Sequence, residues 1–360
     1  MSMTIAGLLT PLVIYVGVLL LHTVLPARRV VGYATDPETG APLSYRLNGM
    51  LVLIASVILW AALGATDIVS WDYLWTVRWE SAIGACVIGL VFSVAIVAAG
   101  EPRRSYPVDL FLGRLENPQL FGRRVDVKMF LYLVGATMLE LNLLSFAAHH
   151  FAQHESDPSP GVALYVGLFS WFVLDYLTFE RVHLYTYDLF AERVGFKLGW
   201  GCLTFYPFFY PVGLWALADA PNPHAPSVLH VGAAIVFFLG WSLARGANMQ
   251  KYVFKRHPSR VFLGLLKPET VSDGERRLLC SGFWGVSRHV NYLGEILMAT
   301  GLALALGDPL SPWPWLYPLY YVLLLFPRER DDDRRCADKY GALWDRYREK
   351  VPKRIIPGIY

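Results

Sequence analysis

Runs of apolar residues that are long enough to cross a bilayer and nearly bare of charge recur along this 360-residue chain. The first, residues 5–25, holds no Asp, Glu, Lys or Arg at all. Hydrocarbon offers no water to main-chain N–H and C=O groups, so such runs bond internally as helices of about 20 residues. Spans are predicted near 5–25, 49–66, 80–99, 129–150, 162–180, 196–218, 228–244, 290–306 and 313–326. A broken or re-entrant segment can hide a tenth. Charged residues make up 17% of the chain against roughly 25% for soluble domains, and hydrophobic residues make up 55%. A disordered chain, a disulfide scaffold and an ordinary cytosolic enzyme are excluded. The fold class expected is an all-α integral membrane protein of about 9–10 transmembrane helices with cytoplasmic loops and a C-terminal tail.

Basic residues divide the loops into two sets. Loops 26–48, 100–128, 181–197 and 245–290, with the tail after 327, hold 31 of the 32 Lys and Arg. Such loops face the cytoplasm, which leaves the N-terminus outside if the spans are nine. Residues 245–290 and the tail flank the last hairpin and are large enough to form a compartment for an anionic ligand. Four dispersed cysteines, Cys86, Cys202, Cys280 and Cys336, form no CxxC pair and no zinc spacing. The net charge of +3 is too small to argue for nucleic acid.

Ionisable residues inside spans are costly, which makes Glu140, Asp175 and Glu180 candidates for function as well as for buried links between helices. The stretch Ser281 to Glu295 is dense in polar and aromatic groups. Its glycines admit a planar ligand, Trp284 offers a stacking face, and Arg288, His289, Asn291 and Glu295 supply donors and acceptors. Lys251 and Lys255 are four apart and share a helix face suited to a phosphate. No GxGxxG or Walker pattern is present. His149, His150 and His154 are read as interfacial histidines rather than metal ligands, and no metal is expected.

Several segments carry a resemblance: Leu43-Ser44-Tyr45-Arg46-Leu47-Asn48-Gly49, Gly113-Arg114-Leu115-Glu116-Asn117-Pro118 with Asp126 and Lys128, Asn248-Met249-Gln250-Lys251, Leu279 through Glu295, Cys336 through Gly341, and Arg354-Ile355-Ile356-Pro357-Gly358-Ile359-Tyr360. Through these the chain resembles the sterol carbon–carbon double-bond reductases, which include the Δ14-, Δ7- and Δ24(28)-sterol reductases. Gly199-Trp200-Gly201-Cys202-Leu203, Pro207, Tyr210, Arg330-Asp331-Asp332-Asp333-Arg334 and the Pro-Gly-Ile-Tyr ending look most like the Δ7 branch, the 7-dehydrocholesterol reductases. Departures from that pattern fall at Ala191-Glu192, Pro327 and Asp331.

The resemblance implies protonation of the alkene, then hydride transfer from NADPH, in sterol biosynthesis. Asp332 matches the acidic position near the nicotinamide and is the expected proton source, working through Tyr210 or Tyr187. Lys251 and Lys255 would meet the NADPH phosphates, and Arg328 the cofactor beside Asp332. Trp284, His289, Asn291 and Tyr292 would line the pocket, Tyr340 would close it, and Asp175 and Glu180 would lie nearer the sterol. On this reading residues 1–160 are N-terminal transmembrane helices. Residues 161–360 are the catalytic half, with the NADPH pocket (245–295 and 327–360) and the sterol cavity. Expected partners are NADPH, membrane lipid and a sterol arriving from the bilayer, with no nucleic acid and no obligate protein partner. The membrane is that of the endoplasmic reticulum in a eukaryote or the cytoplasmic membrane in a bacterium, with the cofactor on the cytoplasmic side. The alternatives are a Δ14-sterol reductase, a non-catalytic sterol-binding membrane protein, a transporter, and a relative of the isoprenylcysteine carboxyl methyltransferases. The last is suggested by Arg288-His289 with Tyr292 and Glu295, although Val290 stands where those enzymes have proline.

Overall fold

A computed structural model describes residues 3–36 and 39–360, with the main chain alone for Asp188 and Phe190. The chain is mostly helical and divides into two compact units, Met1–Pro223 and His224–Tyr360. The division expected at 160/161 separates functions and is a different cut. The first unit contributes α1 (Ile5–Val24), α2 (Gly49–Ala65), α3 (Arg78–Ala98), α4 (Val127–Gln153) and α5 (Pro160–Thr178). The second contributes α6 (Ser227–Arg256), α7 (Val290–Ala305), α8 (Leu316–Tyr340) and α9 (Ala342–Lys350). Five of these, α1, α3, α4, α5 and α6, are long and apolar enough to cross a membrane, while α2 and α7 are apolar but of 17 and 16 residues. This is an integral membrane protein.

In the first unit the predicted span 196–218 is broken. Phe196–Trp200 is α-helical, Gly201–Phe205 widens into a π-helical turn, and Tyr206–Phe209 and Val212–Leu217 follow as separate pieces. Two prolines explain where main-chain bonds are lost. Pro207 has no N–H for Leu203 O, and Pro211 none for Pro207 O. Side chains from other helices take both carbonyls: Tyr15 of α1 donates to Leu203 O, and Asn142 of α4 donates to Pro207 O at 2.9 Å. Irregular backbone is thus satisfied by protein, as an apolar environment demands.

The loop after α1 is an antiparallel hairpin, Arg28–Thr35 with Pro42–Leu47, where a connector was expected. Its Leu43 and Tyr45 pack with Met129, Leu184 and Leu189. The motif Leu43 to Gly49 has a plain local task. Arg46 donates to His22 O (3.0 Å), Thr23 O (3.3 Å) and Leu25 O, and Asn48 Nδ2 donates to His22 O (3.0 Å) and Leu25 O (3.3 Å). The orphan carbonyls at the end of α1 are thereby capped.

In the second unit α6 and α7 meet along a seam of small residues. A Cβ on Gly294 would lie 2.5 Å from Ala244 N and 2.6 Å from Gly240 O, so only glycine permits this approach. A short hairpin, Thr270–Ser272 with Arg277–Leu279, and a four-residue helix, Phe283–Val286, precede α7. Helix α8 runs without a break through Pro327 into the polar tail, where the span was expected to end.

Candidate active site

The seam sets the end of α6 beside the loop that enters α7. Gln250 of α6, 2% exposed, uses its whole carboxamide on that loop. Its Oε1 accepts from Phe283 N–H at 3.0 Å and its Nε2 donates to Ser281 O at 3.2 Å. Trp284 is fixed by its indole N–H, which donates to Ala247 O at 2.8 Å. One turn beyond Ala247, the Lys251 ammonium lies 5.5 Å from the centre of the Trp284 ring. Lys255, the next residue on that face, is exposed at the end of α6.

His289 caps the entry to α7 and is buried, its ring stacked on Tyr292 with centroids 4.8 Å apart. Its Nε2 lies 4.0 Å from Asp332 Oδ2, too far for a hydrogen bond. Burial, reinforced by the positive charges of Lys251, Arg288, Arg328 and Arg354, pushes the imidazole down to about 3. It is neutral at physiological pH. Asp332 sits on α8, one turn after Arg328. Burial lifts its carboxyl above the usual range, against the pull of Lys251, Arg335 and Arg328. Desolvation outweighs three cations. His289 Nε2 and Asn291 Oδ1 are buried without a hydrogen-bond partner among the described residues. Lys251, Trp284, His289, Asn291, Tyr292, Arg328 and Asp332 thus come from two helices, α6 and α8, and the one stretch 284–292 of the same compact unit. Tyr340 stands to one side, packed on the cluster of Cys280, Trp344, Tyr347 and Val351, with Arg276 5.9 Å from its ring.

Of the scaffold behind these groups, residue-type reasoning named only Arg288. Buried Arg288 donates through Nη1 to Val351 O (3.2 Å) and Pro352 O (3.3 Å), with Nη2 3.7 Å from Asp333. Asp333 also accepts from the Trp344 indole at 3.1 Å. Glu329, wholly buried, pairs with Arg354 at 3.3 Å. A signal did exist: Arg328 and Asp332 recur at four residues on one face of α8, and Glu329 and Asp333 on the next. Gln250 lies inside the Asn248–Lys251 motif, where its residue type alone assigns it no role.

The other candidates belong to the first unit. Glu180 is buried, and its Oε2 accepts from Gly49 N–H at 3.0 Å, a carboxylate at the N-terminus of α2. Asp175 lies half-buried on α5, and Tyr187 half-buried on the short helical turn Tyr187–Phe190. Tyr210, also half-buried, ends the broken segment with its ring edge-on to Tyr206 at 4.6 Å. Glu140 of α4 accepts from Ser170 Oγ of α5 at 2.7 Å. His150 uses both nitrogens, Nδ1 donating to Ala218 O at 2.9 Å and Nε2 accepting from Ser159 N–H at 3.0 Å. His149 meets Asp219 at 2.7 Å and Asp72 at 3.4 Å.

Comparison with known proteins names the architecture. Residues 8–360 match the model of the ergosterol biosynthesis ERG4/ERG24 family. The Delta(14)-sterol reductase of Arabidopsis thaliana is 33% identical over 350 residues, covering 94% of this chain and 91% of that protein. The Delta(14)-sterol reductase of Mus musculus is 32% identical over 365 residues, covering 97% and 84%. That of Methylotuvimicrobium alcaliphilum is 36% identical over 256 residues, covering 70% of this chain and 58% of its own length. All three carry the Δ14 name, whereas the Gly199–Tyr210 pattern had suggested the Δ7 branch. With nearly its whole length matched, the chain belongs to the ergosterol biosynthesis ERG4/ERG24 family of sterol reductases.

Proposed function

We propose that this enzyme reduces the Δ14 double bond of a sterol with NADPH, working at the cytoplasmic face of its membrane. The observation that carries the Δ14 reading is the likeness, over almost the full chain, to Δ14-sterol reductases from a plant and an animal. The second unit fits the cofactor. A lysine beside a tryptophan ring suits a phosphate next to a stacked base, and the buried, unpartnered His289 Nε2 and Asn291 Oδ1 are polar atoms awaiting a ligand. Lys251 and Lys255 would bind the phosphates, and Trp284, His289, Asn291 and Tyr292 the body of the cofactor, with Arg328 beside Asp332 and Tyr340 at the margin. When bound, NADPH supplies the hydride.

The protein's own groups then have three tasks. An alkene must be protonated before it can accept a hydride, and an ordinary carboxylate holds too little proton near neutrality. Burial keeps the proton on Asp332 to higher pH, and Tyr187 or Tyr210 is the candidate relay to the sterol. Burial keeps His289 neutral, stacked on Tyr292. Asp175 and Glu180 are kept as sterol-side candidates. Exclusion of water at the sterol would protect a carbocation from being trapped.

The test is product analysis by gas chromatography on the purified enzyme with NADPH and a panel of Δ8,14- and Δ7-sterol dienes. Reduction of the Δ8,14-diene is expected, and reduction of Δ7 alone would overturn the regiochemistry. Asp332→Asn should lower turnover at least 100-fold with NADPH still bound, and the wild-type rate should fall as pH rises through the elevated Asp332 value. A variant with wild-type turnover removes Asp332 from the proton path.

A further inference from the structure

Residues 354–360 form neither helix nor strand, yet their main chain is internally bonded. The N–H groups of Arg354, Ile355 and Ile356 all donate to the main-chain oxygen of Tyr360, at 3.1, 3.0 and 3.0 Å, and Tyr360 N–H returns to Ile356 O at 2.9 Å. The Tyr360 ring stacks on Phe326 of α8, with centroids 5.1 Å apart. Its hydroxyl donates to Glu329 Oε2 at 3.3 Å and accepts from Arg330 Nε and Arg354 Nη1, each at 3.4 Å. One tyrosine closes the turn and fastens it to α8 within two turns of Arg328 and Asp332.

The same turn grips the segment that enters α7. Arg288 N–H donates to Lys353 O at 2.9 Å, His289 N–H to Arg354 O at 2.8 Å, and Ser287 Oγ to Ile355 O at 3.0 Å. Residues 287–289 lie between two helices, so no repetitive ladder receives these donors. Their acceptors are the carbonyls that Tyr360 orders.

We propose that Tyr360 is a positioning residue for the reductase site: it clamps the 287–289 segment to α8 and so sets His289 against Asp332. This rests on the reading of the second unit as the NADPH site. If the turn opens, the imidazole loses its main-chain anchor while the sterol-facing groups of the first unit are untouched.

The experiment is NADPH titration by tryptophan quenching on the purified full chain, with KM for NADPH and for sterol determined separately. Tyr360→Ala should weaken NADPH binding roughly tenfold, a change of about 1.4 kcal/mol, with the sterol KM within about twofold of wild type. Tyr360→Phe, which keeps the stack and loses the hydroxyl, should recover part of that loss. Ile359→Ala, at a position 82% exposed, should bind as wild type. A lower melting temperature with wild-type NADPH affinity in Tyr360→Ala would mean a role in stability only and would overturn the inference. Should Tyr360→Ala not fold, Tyr360→Phe decides, and unchanged affinity overturns it. Lys251→Ala separates the two claims: if it too binds NADPH normally, the site reading itself fails, whereas weakening in Lys251→Ala alone rejects only the role of Tyr360.

Discussion

Gln250→Met removes two hydrogen bonds and almost nothing else. Methionine matches glutamine in length and approximate volume, so the space against Gly282 stays filled. That space is tight, since a Cβ on Gly282 would lie 2.4 Å from Gln250 Nε2. Two loop groups lose their partners: Phe283 N–H, bonded at 3.0 Å, and Ser281 C=O, bonded at 3.2 Å. A stranded main-chain amide costs about 1–3 kcal/mol and a lost carbonyl bond about 1 kcal/mol, or roughly 2–4 kcal/mol on one short segment. A segment so loaded opens locally rather than unfolding the protein. Each 1.4 kcal/mol that the loss adds raises the population of the open loop about tenfold, and binding weakens with the closed fraction that remains. Expected results are at least tenfold faster hydrogen exchange confined to peptides covering residues 280–287, and weaker NADPH binding. Gln250→Glu keeps an acceptor for Phe283 N–H and should lie between the two. Wild-type exchange and wild-type affinity in Gln250→Met would refute the claim that this side chain holds the loop.

Two further outcomes follow from single residues. His289 is held down to about 3 in the fold, whereas the unfolded chain takes up a proton near 6.5, so the unfolded state gains protons between those values. Stability is therefore full above about pH 6.5 and falls on acidification, by no more than about 5 kcal/mol. Melting temperature against pH should show that acid limb and His289→Gln should flatten it; an unchanged limb assigns the loss to other groups. Glu180→Ala strips the N-terminus of α2 and should cost about 1 kcal/mol in thermal unfolding without altering NADPH affinity. A raised sterol KM with an unchanged melting temperature would instead return Glu180 to substrate binding.

What could be read from the sequence follows from how local each cause is. Apolar runs declare membrane helices because hydrocarbon allows the backbone no other state. The break at 201–211 was not legible as structure, since the prolines are tolerated only because Tyr15 and Asn142 reach their carbonyls from α1 and α4. Pro327 read as a boundary, yet α8 continues through it to Tyr340. The hairpin at 28–47 was hidden because its inward residues, Leu43 and Tyr45, meet a core made by residues far along the chain. Within the site, Trp284, His289 and Asn291 were legible as an unusual density of polar and aromatic groups beside an apolar run. Gln250, Glu329, Asp333 and Tyr360 were not, because each serves main chain or charge contributed by distant residues.

The concentration of basic residues in 245–290 and the tail has two causes, not one. Several of those bases are engaged inside the unit. Arg276 donates to Lys339 O, Arg346 to Ser272 O at 2.8 Å, and Lys350 pairs with Glu269 at 3.3 Å, alongside the bonds of Arg288 and Arg354. The polar segments of this unit, a hairpin of two three-residue strands, a four-residue helix and a non-repetitive tail, leave many carbonyls outside any ladder. A guanidinium with five donors can satisfy more than one of them. Lys251 and Arg328 do something else, since their fields converge on Asp332 and His289. Near those residues the imidazole is kept neutral, and burial raises the carboxyl against the pull of the cations. On the proposed reading such cations would meet a polyphosphate, and the burial that raises Asp332 would help it hold a proton for the alkene. On that reading, anion binding and proton supply would be two consequences of one desolvated arrangement of charge.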